Sequence, residues 1–137
     1  MSCQLRWLMD TLGGWLNEIR FFYKRQVMLP LSPHAQALWH YLMWRANNVF
    51  WQFSLRLSLA ELAGGTKMSV PMVKRARAEL TESGYILHEA FGGNKPAGYW
   101  VLSCIRPGKL LAPKGKETDL KSIGKHNSRK DSQAGGE

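Results

Sequence analysis

The stretch SVPMVKRARAELTESGYI, residues 69–86, decides how this chain is read. Ser69 is a favoured N-cap type, and Pro71 falls in the first turn, where its missing N–H costs nothing. Gly84 suits the left-handed position just past a helix end. These signals predict a helix from Ser69 to about Ser83, followed by a strand. With Val73 at zero and about 100° per residue, Ala76 falls at about 300°, Leu80 at about 340° and Arg77 at about 40°. That face packs inward. Lys74 at about 100°, Ala78 at about 140°, Pro71 at about 160° and Arg75 at about 200° form the opposite face, free of acid until Glu82 at about 180°. Small and basic side chains suit entry into a phosphate-lined groove, because acids would be repelled and bulky apolar groups would obstruct approach.

Upstream, Ser58 and Glu61 stand at capping-box spacing before Leu59, Leu62 and Ala63, which predicts a short helix stopping at Gly64-Gly65. Two helices joined by a tight turn make a helix-turn-helix. Downstream, YILHEA and YWVLS flank FGGNKPAG, a β-hairpin whose tip carries Asn94 and Lys95. Further upstream, LSPHAQALWHYLMWRANN begins a helix with Ser32 as N-cap and Pro33 at the first helical position. Ala35, Leu38, Trp39, Leu42, Met43 and Ala46 form its apolar stripe, and Asn47-Asn48 is its stop. Trp51, Phe53, Leu55 and Leu57 then alternate with Gln52, Ser54, Arg56 and Ser58, the period of a half-buried strand.

Helix, strand, helix, helix, hairpin is the order of a winged helix-turn-helix, so the expected fold is mainly α (α+β) with that domain at 32–105. The candidate DNA contacts are Lys67, Ser69, Pro71, Lys74, Arg75, Arg77 and Ala78 of the helix pair, with Asn94 and Lys95 of the wing.

Residues 1–31 read as an N-terminal helical extension in two pieces split at Gly13-Gly14, with Leu5, Leu8, Met9 and Leu12 in the first and Trp15, Leu16, Ile19, Phe22 and Tyr23 in the second. Such a stripe packs on the rest of the domain. The sharper alternative is self-association into a homodimer or higher oligomer through Trp15, Phe21, Phe22 and Tyr23. Residues 106–137 contain no Phe, Trp or Tyr and hold eight Lys/Arg against four Asp/Glu, a net +4. They read as a disordered basic tail, too polar to offset the entropy of folding.

The whole chain of 137 residues carries +9, which favours partners bearing phosphates, nucleic acid first and anionic membrane second. No apolar run approaches the roughly 20 residues that span a bilayer, and Asp10 interrupts the N-terminal apolar stretch before it reaches signal-peptide length. Cys3 and Cys104 form neither a CxxC pair nor a cluster with His, so they read as reduced thiols and the setting as cytoplasmic. LAGGTK and PKGKET lack the phosphate-loop frame, and His34, His40, His88 and His126 are scattered. His40, among apolar neighbours, reads as a structural imidazole. Glu61, Glu79, Glu82 and Glu89 read as cap, surface and hairpin residues, not as a catalytic pair. No catalytic residue, metal or cofactor is expected.

Residues from about Trp15 to Leu102 resemble the N-terminal winged-helix domain of phage and plasmid replisome-organiser proteins of Gram-positive bacteria, the DnaD-like group. LSPHAQALWHYLMWRANN, ELAGGTKMSVPMVKRARAELTESGYI and GGNKPAGYWVL carry the resemblance in succession. It implies a DNA-binding and oligomerising module that helps assemble replication machinery, without catalysis of its own. Its reading helix would be residues 70–82, with Lys74, Arg75 and Ala78 outward, and its wing residues 92–98. A further helical domain often follows in such proteins, and residues 106–137 are too short and too polar to supply it. A transcriptional regulator with the same module, and a protein-interaction module without specific DNA binding, fit the same residues.

Overall fold

Local caps set most element boundaries. The computed structural model describes residues 3–111, with side chains from Gly14 onward. Its elements are α1 (Cys3–Met28), α2 (Pro33–Asn48), β1 (Leu55–Leu57), α3 (Leu59–Thr66), α4 (Val70–Glu82), β2 (Ile86–Glu89) and β3 (Ala97–Val101). Ser32, Ser58 and Ser69 cap α2, α3 and α4 by accepting from the N–H groups of Ala35, Glu61 and Met72. Past α4, Gly84 takes φ +80°, and the N–H groups of Gly84 and Tyr85 bond the carbonyls of Thr81 and Leu80. That pair of bonds closes the helix and reverses the chain into β2.

Among the described residues the result is a mixed α+β architecture of four helices and one small antiparallel sheet, ordered β1-β3-β2. Leu55, Arg56 and Leu57 pair with Tyr99, Gly98 and Ala97, while Ile86 pairs with Val101 and Glu89 with Gly98. Ile86, Tyr99 and Val101 are buried on the sheet's inner face. Leu38, Trp39, Leu42 and Met43 of α2 meet Val73, Ala76 and Leu80 of α4 in the same core. Glu79 fixes the angle between these two helices, accepting from the Ser32 N–H at 2.8 Å and the Ser32 hydroxyl at 2.6 Å.

Several expectations are corrected. The Gly13-Gly14 break is absent, and α1 runs continuously from Cys3 to Met28. Glycine weakens a helix by about 1 kcal/mol relative to alanine but keeps its N–H and C=O, so tertiary packing decides. Further along the helix the Phe22 ring is fully buried and stacks on Trp39 at 3.9 Å. Leu5, Leu8, Met9 and Leu12 lie outside the described side chains. The strand expected from Trp51 shrinks to Leu55–Leu57, because the N–H groups of Val49, Phe50, Trp51 and Gln52 turn back onto carbonyls of residues 46–49. α3 passes through Gly64-Gly65 and ends only where Lys67 adopts φ +59°. Gly65 serves a different purpose, since a Cβ there would collide with the Tyr41 ring of α2.

The boundary at residue 105 also moves. Residues 106–111 fold back, with the Ser103 N–H on the Lys109 carbonyl at 2.8 Å, the Leu111 N–H on the Val101 carbonyl at 2.9 Å, and Leu110 and Leu111 buried. The rest of the expected tail lies outside the described residues. Glu18 of α1 holds the segment just before this return: its buried carboxylate accepts from the Ser103 hydroxyl and the Cys104 N–H, both at 2.6 Å. Substituting Glu18→Ala would leave both donors buried and unmatched, so urea denaturation should register a loss of about 2–3 kcal/mol. An unchanged midpoint would show that α1 is not anchored through this carboxylate.

Candidate nucleic-acid interface

The outer side of α4 follows from what its inner side buries. With Val73, Ala76 and Leu80 in the core, Pro71, Lys74, Arg75 and Ala78 are exposed. Lys67 is exposed in the turn before Ser69, whose side chain engages the Met72 N–H at 3.4 Å. The positive end of the α4 dipole adds to the charge of this corner. Thr81 and Glu82 continue the exposed surface, so an acid closes the cationic stretch at its C-terminal end.

Arg77 behaves differently from the other candidate contacts. It is half-buried, and its Nη1 donates to the hydroxyl of fully buried Tyr99 at 3.2 Å, tying α4 to the central strand. The helical angle already set it on the inward border. The β2–β3 loop leaves β2 through Ala90 and Phe91 and turns at Gly92 and Gly93, with φ +81° and +58°. Asn94, Lys95 and Pro96 are exposed at its tip, where the Lys95 N–H bonds the Gly92 carbonyl at 3.3 Å.

Lys74, Arg77, Ala78, Thr81, Glu82 and His88 line an open depression of about 320 Å³ between α4 and β2. His88 is a site residue that the reading of scattered histidines misses. The signal was its spacing of two from Ile86, which turns both side chains towards α4. Its Nε2 is buried without a hydrogen-bond partner, and its ring lies 5.3 Å from that of Tyr99. Burial, then the charge of Arg77, lowers its pKa. The concavity is open, with Lys74, Arg77 and Glu82 among the groups on its walls, which suits a charged group on a larger partner better than enclosure of a small molecule.

The candidate self-association residues separate. Phe22 is fully buried and so cannot serve as a contact, while Trp15 and Phe21 are half-buried against the core and Tyr23 is 49% exposed. The Tyr23 hydroxyl lies 3.1 Å from His40 Nε2, and burial lowers the His40 pKa. Leu16 and Val27 lie on the outward side of α1 with Tyr23, 61% and 84% exposed. The Cys104 thiol is buried and pushed up to about 11 by burial and by Glu18, so it stays protonated near neutrality. Among the described residues no His, Cys, Asp and Glu group could hold a metal ion, and no helix is long and apolar enough to cross a membrane.

Comparison of the chain with protein-family models, curated proteins and solved structures returns no match.

The two lowered histidines set a pH dependence. The unfolded chain takes up protons near the ordinary histidine value of about 6.5, before folded His40 and His88 do. Stability is therefore full above that value and falls as pH drops through it towards the folded pKa values. The thermal midpoint should fall between about pH 7.5 and 5.5, and His40→Gln with His88→Gln should flatten that slope. An equal slope in wild type and the double variant would contradict the assignment.

Proposed function

We propose that this is a non-enzymatic, cytoplasmic winged-helix protein that binds duplex DNA, with α4 as the reading helix and the β2–β3 loop as the wing. The observation that carries this reading is the two-sidedness of α4: Val73, Ala76 and Leu80 are sealed inward, while Lys74, Arg75 and Ala78 stand exposed outward. The element order and the β1-β3-β2 sheet support it, since they suit a helix and a wing working side by side. Pro71 and Ala78 keep the outward face low, so the bases can be approached. Lys67, Lys74, Arg75 and Lys95 then supply phosphate contacts whose strength depends on released counterions.

Within this class, replication initiation, as a replisome-organiser-type accessory, leads on the resemblance of residues 15–102. A transcriptional regulator would use the same surface. Protein interaction is the second reading, favoured by the exposed Leu16, Tyr23 and Val27 on α1, which fit a second copy or a replication protein better than they fit DNA.

One set of variants separates the readings. Lys74→Ala with Arg75→Ala should weaken binding to a labelled random duplex by roughly ten-fold or more at low salt, and should reduce the log-log salt slope by about two. Unchanged affinity would remove α4 as the docking element. If α1 is the working surface instead, Val27→Asp alters sedimentation across a concentration series and the α4 variants do nothing.

A further inference from the structure

The wing's root is built differently from its tip. Arg56 is the outward residue of β1 and lies opposite Gly98 of β3, which also pairs with Glu89 of β2. Phe91, two residues beyond the end of β2, folds back over this point. The Arg56 guanidinium carbon sits 3.6 Å from the centre of the Phe91 ring. The Phe91 ring also closes on Gly98, where an added Cβ would lie 3.0 Å from Phe91 Cε2 and 3.3 Å from its Cζ. The same Cβ would meet Trp100 Cη2 at 3.3 Å. Glycine at 98 lets the ring lie close on the central strand, where a Cβ would press it back by a few tenths of an ångström, and Arg56 caps the ring.

The tip itself is closed by a backbone bond, the Lys95 N–H on the Gly92 carbonyl at 3.3 Å. Gly92 and Gly93 both take positive φ and are exposed, as are Asn94 and Lys95. Two consecutive glycines leave many backbone conformations open, so a tip hinged at residue 92 would spread the Lys95 ammonium over a wide volume. A cation that must be collected from that spread contributes less to binding than one already in place.

We propose that Arg56, Phe91 and Gly98 form a positioning device that sets the wing, so that Lys95 is presented to a nucleic-acid backbone phosphate beside α4. The proposal rests on the DNA-binding reading and goes beyond it by assigning three residues that touch no nucleic acid. Arg56 and Phe91 act through Lys95. Their effect on affinity should therefore vanish once Lys95 is gone.

The test is a double-mutant cycle on full-length protein with a labelled random duplex at low salt. Lys95→Ala should weaken binding roughly three- to ten-fold, the worth of one phosphate contact, and Phe91→Ala should weaken it by a similar factor. The double variant should be no weaker than either, Phe91→Tyr should bind like wild type, and Lys74→Ala should cost the same with or without Phe91. Equal losses for Lys95→Ala in both backgrounds, or wild-type affinity for Phe91→Ala, would overturn the proposal. If Lys74→Ala and Lys95→Ala are both silent, the DNA-binding reading fails and the DNA role of the device falls with it. Backbone amide order parameters decide the positioning separately, without nucleic acid. Those of Gly92, Gly93 and Asn94 should drop below about 0.6 in Phe91→Ala while the strands stay rigid, and unchanged order at the tip would refute the device itself.

Discussion

The hold of Glu79 on Ser32 is the contact on which the rest of the arrangement depends. One carboxylate of α4 accepts both the N–H and the hydroxyl of the residue that caps α2, while the Ser32 oxygen still accepts from Ala35. The start of α2 and the third turn of α4 are thereby one unit, and the apolar stripes of both helices must face each other. Arg77 adds the second constraint, fixing α4 against Tyr99 of the central strand. A helix held on two sides by polar ties and on a third by Val73, Ala76 and Leu80 has one side left to offer. On that side stand Lys74, Arg75 and Ala78.

α1 is joined to this unit by different chemistry at successive turns. Glu18 grips the Ser103–Cys104 backbone region, Phe22 stacks on Trp39, and Arg25 lies 4.3 Å over the Tyr85 ring. Gln26 bridges the Tyr85 hydroxyl at 3.0 Å and the Leu31 N–H at 2.8 Å. The helix is therefore part of the folded unit rather than an appended arm. Its outward side carries Leu16, Tyr23 and Val27, all exposed.

Much of this was legible in the sequence where the determinants are local. Ser32, Ser58 and Ser69 announce helix starts because a cap needs only a hydroxyl and an N–H three residues on, and Gly84 announces a helix end because left-handed backbone needs no tertiary partner. The outward cations of α4 follow from helical angle alone. What escaped depends on distant residues. Gly65 looked like a stop and is a close-approach position under Tyr41, 24 residues earlier in the chain. α1 stayed whole at Gly13-Gly14, with Phe22 locked beneath Trp39 further along it. Trp51 looked like a strand residue by alternation, yet its N–H is taken by the Ala46 carbonyl at 2.8 Å. The Glu18 anchor also escaped, since no local pattern connects it to Ser103 and Cys104, beside the return of residues 106–111. His88 joined the site only once β2 was laid against α4.

In the proposed DNA-binding role, the outer side of α4 and the β2–β3 loop, not α1, meet a phosphate backbone. The most direct measurement is a titration of isotope-labelled protein with a short random duplex at low salt, following backbone amide resonances. The account predicts shifts concentrated on Lys67 to Ala78 and on Gly92 to Lys95, fading as salt is raised, with Leu16 to Met28 unmoved. Shifts concentrated on α1, or none at low salt, would contradict it.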